Sequence, residues 1–205
     1  LFDAFHPDDA RTALEALLDQ GLDTLVVGSA LPFHSAFEED KGAWAQIRAQ
    51  TDEWARRTGK PAPRILFAPQ LADQPAFGAL WAGIVARTVP AAPGPDARAT
   101  VILSLHGLPG RLARRDPWTH NSARGVAKTR PALAAAMRAR GWQRLTLVSA
   151  QEAFADGVED PGDDRLSTRE AFEAAAARGD TLAVAVPVEF LAENTDTLFL
   201  HSLLM

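Results

Sequence analysis

Five short apolar runs recur along the chain at a spacing of about 40 residues, the rhythm of β-α repeats rather than of an all-β protein. They are Thr24–Val27, Arg64–Phe67, Thr100–Ser104, Leu145–Ser149 and Leu182–Val186. Each is β-branched and apolar at nearly every position, as strands buried on both faces of a parallel sheet are. Between them the apolar period lengthens to that of helices. Asp8 to Gln20 puts Ala10, Ala13, Leu14, Leu17 and Leu18 on one face and stops at Gly21. Ser35-Ala-Phe-Glu38 reads as a capping box opening a helix through Trp44, Ile47 and Trp54. Pro75 to Thr88 and Ser122 to Arg140 predict two more helices, and Ser167-Thr-Arg-Glu170 is a second capping box before a helix that stops at Gly179. A last helix is expected from about Glu193. The pattern predicts an α/β fold of parallel sheets flanked by helices.

Val89-Pro-Ala-Ala-Pro-Gly-Pro-Asp96, with three prolines and a glycine, is the candidate linker. Gln20–Val27 and Arg140–Leu147 share the order helix, Gly, strand, as two similar lobes would. The expected division is an N-terminal lobe over 1–90, a C-terminal lobe over 97–190 and a closing helix over 191–205. Two such lobes predict a cleft, and ligands of these sheets bind outside the carboxyl ends of the strands. The chain opens on Leu1 and ends in the apolar stretch Thr197–Met205, which reads as a sequence shortened from a longer one.

Composition narrows the chemistry. Zero cysteines in 205 residues excludes disulfides, a thiolate zinc site, a cysteine nucleophile and a Cys-ligated iron–sulfur cluster. A net charge of -5 gives no sign of a nucleic-acid partner. There is no uninterrupted apolar run of bilayer length and no signal-peptide pattern, so a cytoplasmic location is expected. Gly-x-Gly-x-x-Gly, P-loop, His-Glu-x-x-His and Gly-x-Ser-x-Gly motifs are absent, which argues against dinucleotide oxidoreductases, NTPases, zincins and α/β-hydrolases.

The strand ends carry the candidate residues. Thr100–Ser104 runs into Leu105-His106-Gly107-Leu108-Pro109-Gly110, a tight turn that holds an imidazole just past a buried strand. His106 there suits proton transfer or metal binding, and equally a hydrogen-bonded loop position. The last strand runs into Pro187-Val-Glu189-Phe190, then Glu193, Asn194 and Asp196. Glu193 and Asp196 share a helix face at spacing three, where they act as dipole-favoured caps or as functional carboxylates. Trp118 and His120 are expected on a loop, lining a pocket for a flat ligand or covering the core. Arg111, Arg114 and Arg115 form a basic run, and His34 reads as structural.

Together these segments resemble the ferrochelatase family (class II chelatases). Ser104-Leu-His-Gly-Leu-Pro109 followed by Asp116-Pro-Trp118 is similar to its Ser-x-His-Gly-Leu-Pro turn and Gly-Asp-Pro-Tyr. Pro187-Val-Glu-Phe190 through Asp196-Thr-Leu198 is similar to its Pro-x-x-Phe and Glu-Thr-Leu segments. Leu31, Pro32 and Ser35 fall on its Pro-Leu-Tyr-Pro-x-Tyr-Ser loop. The three matches keep their order over nearly the whole chain. The resemblance implies two Rossmann-like lobes around a porphyrin cleft and insertion of ferrous iron, as substrate, into a porphyrin in haem biosynthesis. It implies a lyase with no covalently bound cofactor.

Residue by residue, His106 matches the active-site histidine, Asp196 the catalytic glutamate and Glu193 a nearby acidic position. His106 and Asp196 are the implied metal contacts. Ser104, Gly107, Leu108, Pro109, Trp118, Leu31, Pro32, Ser35 and Phe190 are the implied porphyrin contacts. Porphyrin and a divalent metal ion are the implied partners. Peripheral membrane contact and oligomeric state stay open.

The chain also departs from the family. Asp196 shortens the carboxylate's reach by about 1–1.5 Å. Asn194 stands where many members have His, there is no Tyr, and the Gln-Ser-Arg and Trp motif is replaced around Gln151–Phe154. The opening Asn-Leu-Gly-Gly-Pro strand and the closing tail are not present. Two other readings therefore stand beside the first: a paralogue that binds porphyrin, haem or metal without turnover, and a sirohydrochlorin-type chelatase.

Overall fold

The computed structural model describes residues 7–106, 115–153 and 166–191. The closing helix expected over 191–205 lies outside them, apart from Leu191. The fold is α/β, with parallel sheets flanked by helices. The chain forms two compact units, one of Leu1–Ser29 and His34–Pro69, the other of Ala30–Phe33 and Gln70–Met205.

In the first unit, α1 (Pro7–Leu18) leads into β1 (Thr24–Val27), a π-helical stretch (Ala36–Ala43), α2 (Trp44–Thr58) and β2 (Arg64–Phe67). The two strands run parallel, with Thr24 opposite Arg64 through Val27 opposite Phe67. Alternation decides what they bury. Leu25 joins Leu14, Leu18, Ile47 and Trp54 in a small core. Val26 and its register partner Leu66 point the other way and are exposed. Trp54 stays satisfied inside because its indole N–H donates to Asp19 Oδ1 at 3.0 Å. The helix expected to open with the Ser35 capping box opens instead with π turns, and the Ser35 N–H donates to the Glu39 carboxylate at 3.1 Å.

In the second unit, β3 (Arg98–His106) is the central strand of a parallel sheet in the order β4-β3-β5. Its neighbours are β4 (Arg144–Ala153) and β5 (Leu182–Pro187). Val101 and Leu103 face α3 (Pro75–Thr88) and α4 (Trp118–Ala139), packing with Phe77, Trp81, Leu133 and Met137. Ile102 faces the opposite side, against Ala150 and Ala171 of α5 (Thr168–Ala177). With a neighbour on each edge and helices on each face, β3 is buried from Ala99 to Ser104, as its unbroken apolar run predicts. The Ser167 capping box forms in full, with Ser167 Oγ accepting from the Glu170 N–H and Glu170 reaching back to the Ser167 N–H.

The Pro-rich segment 89–96 does not divide the units. It lies within the second one, between α3 and β3, because α3 packs on α4. Residues 70–90, expected in the first lobe, group with the second unit for the same reason. The segment is fastened at both sides of the α4–β4 turn. The Trp142 indole donates to the Pro90 carbonyl at 2.9 Å and the Ala92 N–H donates to the Arg140 carbonyl at 2.8 Å. Gly141 turns there at φ +91, and a Cβ on it would sit 3.3 Å from the Ala92 methyl. That left-handed backbone and close approach are why glycine ends α4.

Residues 30–33 pack with the second unit although they follow β1. The Pro32 carbonyl accepts from the Ala72 N–H at 2.9 Å, and Phe33 is fully buried. Its ring meets Phe77 and Trp118 edge-on, with centroids 5.9 and 5.7 Å away. It also lies flush against α4 at Gly125, where an added Cβ would fall 2.1 Å from the ring.

Candidate functional site

The carboxyl end of β3 is where the geometry concentrates. Regular pairing with β5 stops at Ser104 opposite Pro187, and Pro187 has no N–H to carry the ladder on. On the other side, the register with β4 slips between Leu105 and His106. His106 therefore sits past the end of the β5 pairing, where the β4 register has slipped to put it opposite Ala153.

Three side chains from two other segments hold His106 there. The buried Glu189 carboxylate accepts the His106 backbone N–H. The Trp118 indole donates to the His106 carbonyl across a long 3.4 Å. The Phe190 ring stands edge-on to the imidazole, with centroids 6.1 Å apart and an interplanar angle of 84°. The imidazole itself is half-buried.

Each of these partners has a local reason to be where it is. Beyond β5 the chain makes a tight turn closed by the Phe190 N–H donating to the Pro187 carbonyl at 3.0 Å. Glu189 is the third residue of that turn, so its side chain comes back over the end of the sheet. Trp118 opens α4 rather than lying on a loop as expected. The buried Asp116 carboxylate accepts the Trp118 N–H at 2.8 Å and so satisfies the first turn of the helix. His120, also expected on that loop, is an exposed residue of the same helix.

The sequence-derived residues divide three ways. His106, Trp118 and Phe190 meet at one point. Ser104 is fully buried one layer below, sharing a 3.0 Å hydrogen bond with Thr168 at the start of α5. Leu31 and Pro32 belong to the second unit's packing beside Phe33, and Ser35 belongs to the first unit. Gly107, Leu108, Pro109, Glu193 and Asp196 lie outside the described residues, as do Arg111, Arg114 and Asn194.

Glu189 and Asp116 are the two residues that sequence reasoning did not single out. Asp116 stood in a quoted motif and Glu189 in a quoted acidic segment. Neither pattern says that the carboxylate turns inward to a backbone N–H.

The first unit has its own imidazole–carboxylate cluster beyond β1. His34 Nδ1 lies 2.5 Å from Glu39 and Nε2 lies 3.2 Å from Asp40. The ring stacks on Trp44 at 5.2 Å, Trp44 stacks on Phe67 at 4.5 Å, and the Arg48 guanidinium covers Phe67. Both nitrogens and one face of His34 are thus engaged within the first unit. An apolar hollow of about 240 Å³ beside β1, lined by residues such as Leu14, Leu17, Leu25 and Ile47, holds no titratable group.

Among the described residues, no three His, Asp or Glu side chains are grouped to hold a metal ion. No helix among them is long and apolar enough to cross a membrane. The chain matches no model of a known protein family. No curated protein matches it. The class that fold and site define is therefore the coarse one: an α/β protein of parallel sheets with a clamped histidine at the carboxyl end of its central strand.

Proposed function

We propose that the protein is ferrochelatase-like, inserting a divalent metal ion, ferrous iron in the first instance, into a porphyrin. The single observation that carries this reading is His106 at the end of β3, its backbone held by Glu189 and Trp118 and its ring set edge-on to Phe190, inside the segment that resembles the chelatase signature. The proposal brings with it two Rossmann-like lobes and a porphyrin cleft. It also brings a cytoplasmic setting in which haem is made.

Metal insertion exchanges two pyrrole N–H protons for one M²⁺. A neutral imidazole offers one nitrogen lone pair, which takes up a proton or hands over a metal ion. His106 fills that role here, and Asp196 with Glu193 supplies the complementary carboxylates. Phe190, half-buried beside the His106 ring, provides aromatic surface for a flat macrocycle, and the buried Trp118 backs His106 from the core.

The test is anaerobic insertion of Fe²⁺ or Zn²⁺ into a porphyrin, followed by absorbance. Wild-type protein is expected to turn over, and His106→Ala to lose at least about 100-fold in rate while still shifting the porphyrin spectrum. A spectral shift without insertion by the wild type selects porphyrin binding without turnover. Retained insertion by His106→Ala removes the histidine from its role.

A further inference from the structure

We infer that Glu189 is a positioning residue for His106, its carboxylate standing in for the strand pairing that β5 cannot continue. This deepens the chelatase reading and rests on it for the catalytic consequence, though not for the structural one.

Four observations lead to it. First, the position is wholly buried between apolar neighbours: Glu189 and Val188 are both 0% exposed, and Val186 is 3% exposed. Burying a carboxylate there costs stability that an apolar side chain would not. Second, the side chain spends that burial on the backbone of a residue 83 positions earlier in the chain, the N–H of His106. Third, that N–H lies two residues past Ser104, the last β3 residue paired with β5, and just after the slip against β4. With the β5 ladder ended, a side chain from the turn that follows β5 supplies the acceptor. Fourth, the next residue, Phe190, packs on the His106 ring, so one turn fixes both the backbone and the imidazole.

The direction of the Cα–Cβ bond follows the peptide plane whose N–H is held. Fixing that N–H therefore fixes where the imidazole is presented. The reach of the side chain matters more than its charge in this role, because an amide oxygen accepts the same N–H. Glu189→Gln keeps length and acceptor and removes the charge. Glu189→Asp keeps the charge and withdraws the oxygen by about 1–1.5 Å.

The experiment compares these two variants with wild type by two readouts. In NMR, the His106 amide is expected to exchange at least about tenfold faster in Glu189→Asp and to stay protected in Glu189→Gln. The His106 ring is expected to keep one rotamer in Gln and to average in Asp. In zinc insertion, kcat is expected to fall about 100-fold in Asp with KM for porphyrin little changed, and to fall far less in Gln.

The reverse order, Asp active and Gln inactive, makes the charge the operative property and overturns the inference. Equal protection and a single His106 rotamer in all three proteins overturns it too. Should wild type insert no metal, the chelatase reading falls, and the amide exchange and rotamer decide the positioning role by themselves.

Discussion

The two compact units use the same parts, parallel strands with helices packed on them, and bury them unequally. β3 has a strand on each side and helices on each face, and every residue from Ala99 to Ser104 is buried. β1 and β2 pair only with each other among the described residues, and Val26 is 67% exposed. The runs Thr24–Val27 and Thr100–Ser104 look alike as sequence. What separates them is the number of neighbours a strand acquires, which no property of the strand itself encodes. The charged surface repeats the likeness: each unit sets one carboxylate between two cations, Glu15 with Arg11 and Arg57 in the first, Asp73 with Arg124 and Lys128 in the second.

The largest test of the comparison is at the tightest packing in the second unit. Phe33→Ala is expected to lower unfolding free energy by about 3–5 kcal/mol by emptying its pocket. Gly125→Ala is expected to cost about 3 kcal/mol by forcing a methyl into the Phe33 ring. Because the two share one space, Gly125→Ala in a Phe33→Ala background should cost less than about 0.5 kcal/mol. Denaturant titration of the four proteins measures this cycle, and simple additivity would break the contact.

A second test reads the inequality of the cores directly. Amide exchange at Leu25–Val27 should run at least about 100-fold faster than at Val101–Leu103, since a small half-covered sheet opens before a fully enclosed one. Equal protection would mean that exposure of Val26 and Leu66 carries no cost.

The smallest effects come from the two charge clusters. Asp73 is held below the ordinary aspartate value of 3.8, first by its hydrogen bond from Lys128, then by that from Gln70. A depressed carboxylate contributes stability above its ordinary value and loses it as pH falls through the folded one. Asp73→Asn should thus cost about 0.5 kcal/mol near neutrality, the partly exposed site being screened by solvent, and nothing once pH has fallen below the folded carboxyl's lowered value. Glu15 is lowered chiefly by the hydrogen bond from Arg11. Glu15→Gln should show the same sign, with the difference from wild type disappearing in strong salt and at acid pH. Thermal melting across pH checks both.

All five strands, the helix over Pro75–Thr88 and the Ser167 capping box were legible because each is set by local period or local hydrogen bonding. The site was legible as far as His106, Trp118 and Phe190. It stopped at Glu189, because an acid after a strand has the same local pattern whether it meets water or folds back onto a strand 83 residues distant. Phe33 was hidden for the same reason. Nothing in Leu31-Pro-Phe-His34 says that Phe33 packs with one unit and His34 with the other.

That split has a consequence for how the protein is made. Phe33 leaves the ribosome about ninety residues before Gly125, the surface it will lie on. Phe77 of α3 supplies one wall of its pocket first, and Trp118 and Gly125 of α4 complete it. A chain ending at residue 70 carries Phe33 without Phe77, Trp118 or Gly125, the surfaces that close its pocket.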